Sequence, residues 1–126
     1  SSSSSGSNCI EQQVPYSSSS FNVDVICNSL DENGFCIDKT VTCSVLISNL
    51  DNLVEGVFGI DFRFFEEGNT NNIFYSVSSE FTLGPNEQHN FEESFNIQSQ
   101  GEEGIANKEL TCFYTTVTVP KKEVCE

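Results

Sequence analysis

The sequence predicts an all-β protein: an antiparallel two-sheet β-sandwich of six to seven strands, stabilised by disulfides. Three observations lead there. Apolar residues recur with a period of two in several stretches of about ten residues, and no comparably clean helical stripe appears. Clusters of Gly, Asn, Asp and Pro separate those stretches at short intervals. Six cysteines, an even number, sit in a chain of only 126 residues.

The clearest run is 56–65, GVFGIDFRFF. Phe58, Ile60, Phe62 and Phe64 fall on one parity, and Gly59, Asp61 and Arg63 on the other. A pleated strand turns that alternation into one apolar face and one wet face. The other elements follow in chain order. Residues 1–8 are nearly pure serine, a composition that cannot bury apolar area and reads as a linker or stalk. Residues 9–20 read as an extended arm, because Pro15 fixes its own φ and biases Val14 towards an extended shape. The expected division is therefore a linker and arm over 1–20 and a sandwich over 21–126. Ile10, Val14, Pro15 and Tyr16 are the candidates for an assembly arm. They could lie along their own domain or add a strand to a neighbour's sheet edge.

Within the sandwich, Phe21, Val23, Val25 and Cys27 share one parity. Asn33-Gly34 then supplies a turn signal. The next strand carries Val41, Cys43, Val45 and Ile47 on one face, with Thr40, Thr42, Ser44 and Ser48 opposite. A turn at Leu50 to Leu53 leads into the 56–65 strand. A polar loop over 66–72 precedes a strand with Ile73, Tyr75, Val77, Phe81 and Leu83 on one face. Gly84 to Glu87 form another turn. The strand after it places Phe91, Phe95 and Ile97 inward. Glu93 shares their parity, which reads either as an inward-pointing charge guarding an edge strand or as a bulge. Residues 99–108 read as a loop. Residues 110–119 are apolar on both faces, which suits a central strand, and Pro120 ends it. This pattern has the shape of an immunoglobulin or fibronectin type III domain, without the tryptophan of antibody domains.

The 19 Asp and Glu residues against 5 Lys and Arg leave a net charge of -14. Such a surface repels nucleic acid and anionic lipid and favours basic partners. Cys9, Cys27, Cys36, Cys43, Cys112 and Cys125 are all expected in disulfides and hence in an oxidising compartment. Six cysteines allow 15 connectivities. Cys9 is expected to clamp the arm to another segment. A zinc site is disfavoured, because no CxxC pair exists and His89 is the only histidine. No apolar run is long enough to span a membrane. The absence of an initiator Met suggests a processed form.

No constellation carries recognisable chemistry. His89 follows a turn and has no carboxylate neighbour in sequence to orient it. No carboxylate pair sits in a glycosidase-like context. No catalytic residue, cofactor or metal ligand is therefore assigned. Calcium is the one small ligand to weigh, on the acidic loops 31–38 or 51–55, although their spacing does not follow the EF-hand. Arg63, the only arginine, is expected to make a cross-strand ion pair.

The segments Phe62-Arg63-Phe64-Phe65-Glu66-Glu67-Gly68 and Leu83-Gly84-Pro85-Asn86-Glu87, with Phe91 beyond, resemble the FxLYD-type, fibronectin III-like domain of secreted and surface proteins in bacteria and archaea. That family has a hydrophobic-acidic-Gly corner and a Leu-x-Pro-Gly-Glu-like turn leading into a phenylalanine strand. The resemblance covers about a third of the chain. Here Arg63-Phe64-Phe65 replaces the Leu-Tyr-Asp core, Gly84-Pro85 replaces Pro-Gly, and the cysteines are no part of the pattern. The resemblance implies an extracellular, non-catalytic module and no particular ligand.

The expected function is a non-catalytic structural subunit of a cell-surface appendage or layer. Copies would assemble into a homopolymer, with the N-terminal arm adding a strand to the next subunit. The alternatives are a stalk-borne adhesion or protein-interaction module of a larger surface protein, and a calcium-binding surface domain.

Overall fold

The computed structural model of the chain describes residues 8–99 and 104–125. The serine tract 1–7 and part of the predicted 99–108 loop, residues 100–103, lie outside the described residues. Eight strands form among the described residues: β1 (Cys9–Gln13), β2 (Tyr16–Leu30), β3 (Cys36–Asn49), β4 (Gly56–Glu66), β5 (Asn69–Leu83), β6 (Gln88–Gln98), β7 (Leu110–Thr118) and β8 (Lys121–Cys125). One 3-10 turn, Ile105–Asn107, precedes β7, and no α-helix occurs among the described residues. The count exceeds the expected six to seven because the arm and the tail are themselves strands. They pair with each other as β1 and β8. The expected boundary between arm and sandwich at 20/21 falls inside β2.

The strands make three antiparallel sheets, ordered β1-β8, β2-β3-β6 and β5-β4-β7. The period of two decides which residues fill the space between the two larger sheets. Val41, Cys43, Val45 and Ile47 of β3 and Phe58, Ile60, Phe62 and Phe64 of β4 are all buried in one core. Each fully buried side chain of this size contributes about 1.5–3 kcal/mol. β3 and β4 are the central strands, which is why their alternation is the cleanest in the chain.

The margins of the two sheets also touch. On one side, β2 meets β7: the Ser18 and Tyr114 hydroxyls lie 2.8 Å apart, and the Phe21 and Tyr114 rings 5.0 Å apart. On the other side, β5 meets β6, where Tyr75 stacks on Phe95 at 5.0 Å and Phe81 on His89 at 3.8 Å.

Three strand-level expectations change. β7 is an edge strand, not a central one. Its second apolar face, with Phe113 and Val117, is exposed. Ile73 leaves the inward face, because the β4–β5 ladder shifts register between Phe64 and Phe65 and sets Ile73 opposite Phe65. The half-buried Phe74 packs against the core instead. In β2, Val25 keeps the inward parity opposite Val41 but remains exposed, as befits an edge strand with register shifts. Glu93 stays on the inward parity opposite Cys43, in an uninterrupted ladder at the sheet edge. Glu93 is therefore a half-buried charge on the inward parity of an edge strand, and no bulge re-aims it.

All six cysteines are bonded. Cys43–Cys112 joins β3 to β7 across the core, with Cα atoms 6.4 Å apart. Cys27–Cys36 closes the β2–β3 hairpin, and Cys9–Cys125 closes the β1–β8 ribbon. Cys27 and Cys43 share an inward parity on neighbouring strands yet take different partners.

Candidate functional site

The arm residues do not form a free segment. Ile10 lies opposite Val124 in the ribbon and is 55% exposed. Val14 is fully buried in the core, and its N–H donates to the Pro120 carbonyl at 2.9 Å. The Pro15 carbonyl accepts from the Leu50 N–H at 3.0 Å. Tyr16 opens β2 opposite Asn49, with its ring 5.8 Å from Phe58. Lacking an N–H, Pro15 can join a ladder only as an acceptor, so it sits at the break between β1 and β2. The Cys9 clamp runs to Cys125 of the tail.

Asn49 and Asp51 form a buried polar corner where β3 turns towards β4. The Asn49 side-chain amide donates to the carbonyls of Val54 and Gly84 at 2.9 and 3.0 Å, and its oxygen accepts from the Asp51 N–H at 2.9 Å. Asp51 Oδ1 accepts from the N–H groups of Leu53 and Val54 at 2.7 and 2.8 Å. Its other oxygen accepts from Lys122 Nζ of β8. The Lys122 ammonium, then the Leu53 and Val54 N–H groups, hold the Asp51 carboxyl below its ordinary 3.8, at about 2. The corner locks the ribbon to the body.

These bonds bear on the loops weighed for calcium. Asp51 has both oxygens engaged. Asp31 Oδ1 accepts from the N–H groups of Asn33 and Phe35, a turn-forming pattern around Gly34 at φ +87°. Asp38 accepts from the side chains of Asn96, Asn28 and Gln98, and the first two are the main cause of its lowered carboxyl pKa. These three carboxylates accept from donors of their own fold. Cys9, Glu123 and Cys125 bring sulfur and oxygen atoms close together, but the two sulfurs are bonded to each other and carry no thiolate.

Two groups raise the question of catalysis. His89 is wedged between Phe81, stacked at 3.8 Å, and Phe91, edge-on at 4.9 Å. The Glu67 carboxyl is pushed up by a hydrogen bond with Glu109 and by that neighbour's charge. Both of these side chains stand exposed beside the β4–β5 turn.

Arg63, Phe65, Thr70, Ile73, Phe113 and Thr115 line a shallow cup of about 420 Å³ on the outer face of the β5-β4-β7 sheet. Phe113 is 56% exposed there. Arg63 pairs with Asp61, two residues away on the same face, through a 3.0 Å Nε–Oδ2 contact, rather than across strands. The sequence signal for the cup was Phe65 and Phe113 on the faces of β4 and β7 that also carry Arg63 and Thr115. The register shift that moves Ile73 beside them carried no such signal.

Comparison with protein-family profiles, characterised proteins and solved structures finds no match to this chain. The residues themselves therefore carry the functional reading. No helix among the described residues is long and apolar enough to cross a membrane. Three disulfides suit an oxidising environment.

Proposed function

We propose that the chain is a non-catalytic structural module of the extracellular space or cell surface, folded as a two-sheet sandwich of the immunoglobulin or fibronectin III kind. The observation that carries this reading is the complete pairing of six cysteines into three bridges, one of them through the core. The structural engagement of Asp31, Asp38 and Asp51 within their own turns and strands supports the non-catalytic part. Within this reading the arm serves its own domain. Val14 is a core residue and Cys9 is bonded, so donating the arm would empty part of the core and break a disulfide. Assembly into a layer or appendage would instead use a sheet edge. Of the four edge strands of the two larger sheets, β7 is the one without a charged residue and so the least guarded.

The test is electron microscopy and light scattering of the oxidised protein up to millimolar concentration. Ordered oligomers that a charge at Phe113 or Thr115 abolishes support the reading. A monomer at every concentration ends the assembly version.

The cup favours a second reading, an adhesion or interaction module. Exposed Phe113 and Ile73 beside the Arg63 fork offer apolar contact and hydrogen-bond donors together. Glycan and protein arrays test it: binding lost in Phe113→Ala supports it, and background signal on both arrays removes it.

A further inference from the structure

We propose that the Cys9–Cys125 bridge makes this domain a side loop off the line of mechanical tension: a pull entering the chain before Cys9 leaves after Cys125 without loading the fold. The bridge closes the outermost described rung of the β1–β8 ribbon, where Cys9 lies directly opposite Cys125 with Cα atoms 4.0 Å apart. The two cysteines are 116 residues apart in sequence. Both larger sheets, the core and the other two disulfides therefore lie inside the covalent loop.

The bridge also sits where the fold would be mechanically weakest. An antiparallel ribbon pulled apart from one end presents its hydrogen-bonded rungs to the load one at a time. Ribbon side chains are mostly exposed, so little burial resists that opening. The first firm holds are the Lys122–Asp51 contact and the Val14–Pro120 hydrogen bond at the ribbon's base. A covalent bond at the tip removes this route. Reduction restores it, so thiol chemistry decides whether the domain yields under force. This behaviour follows from bond topology alone and is independent of the function proposed above.

The test is single-molecule force spectroscopy on the full chain, with handles fused ahead of Ser1 and behind Glu126. Oxidised wild type is expected to show no unfolding step. C9S/C125S is expected to release only the chain outside the Cys43–Cys112 and Cys27–Cys36 loops. That is roughly 40 residues, or about 130 Å at about 3.4 Å per residue. Wild type in a thiol reductant is expected to release the whole loop, about 400 Å by the same scale. A step of either length in the oxidised wild type overturns the proposal, as does a peptide map that pairs Cys9 with another cysteine. If C9S/C125S does not fold, wild type pulled with and without reductant separates the same two outcomes.

Discussion

Lys122 of the tail strand donates to the carboxylate of Asp51, which is only 5% exposed at the corner between β3 and β4. The contact ties the last strand of the chain to its middle. Its strength depends on the ionised form of Asp51, which the fold favours down to about pH 2. A carboxyl whose pKa is lower in the folded state adds stability above its unfolded value and loses it as pH falls through the folded one. The Asp51 contribution is therefore complete above about pH 4 and fades towards about pH 2. Asp51→Asn can still accept from Leu53 and Val54 but lacks the charge. Its melting temperature should lie below wild type at neutral pH, with the gap closing across that window. A gap that stays constant from neutral to acid pH would assign the loss to something other than the ion pair.

Asn49→Ala removes the donor to the Val54 carbonyl and the acceptor of the Asp51 N–H, while the Gly84 carbonyl keeps the Glu87 N–H at 3.0 Å. Buried groups left without partners cost about 1–3 kcal/mol each. The expected loss is about 2–4 kcal/mol in urea unfolding. A loss under about 1 kcal/mol would mean that water replaces the side chain at no cost.

Phe62 and Arg63 are neighbours on β4 that face opposite ways. Phe62→Ala should cost about 3–5 kcal/mol, because the ring is fully buried between the sheets. Arg63→Ala should change stability by less than about 0.5 kcal/mol, since its ion pair with Asp61 is open to water. Equilibrium denaturation of the two variants checks the assignment of faces. Equal effects would refute it.

The disulfides should rank by the chain each one closes. Cys43–Cys112 spans 69 residues and should contribute about 4 kcal/mol through the entropy of the unfolded chain, whereas Cys27–Cys36 spans 9 and should contribute about 3 kcal/mol. Paired Cys→Ala variants, compared by urea midpoint under oxidising conditions, read the order. The hairpin bridge proving the more stabilising would reverse it.

The core of β3 and β4 was legible because a central strand covered on one face leaves its alternation undisturbed. Val41 to Ile47 and Phe58 to Phe64 lie where their parity places them. Edge strands were harder to read. β7 has apolar residues on both faces, but Phe113 is exposed. Ile73 changed face through a shift in register, which depends on how two strands meet and not on either alone. Val14 belongs to the core although its neighbours Gln13 and Pro15 are exposed, since one buried residue in an arm has no periodicity to announce it. The disulfide partners were beyond reach for the same reason: pairing is a property of the folded arrangement. Asn49 read as a strand end and Asp51 as part of an ordinary polar turn, because a contact with the distant Lys122 leaves no mark on local composition.

The placement of Tyr16, Tyr75 and Tyr114 also gives the molecule an optical use. With no tryptophan in the chain, its intrinsic fluorescence comes from tyrosines. Tyr16 lies against Phe58 where the ribbon enters the core, Tyr75 against Phe95 at one margin, and Tyr114 against Phe21 at the other. Replacing any two with phenylalanine leaves a single emitter at a known junction. Detachment of the ribbon and separation of either margin can then be followed one at a time, without an added dye.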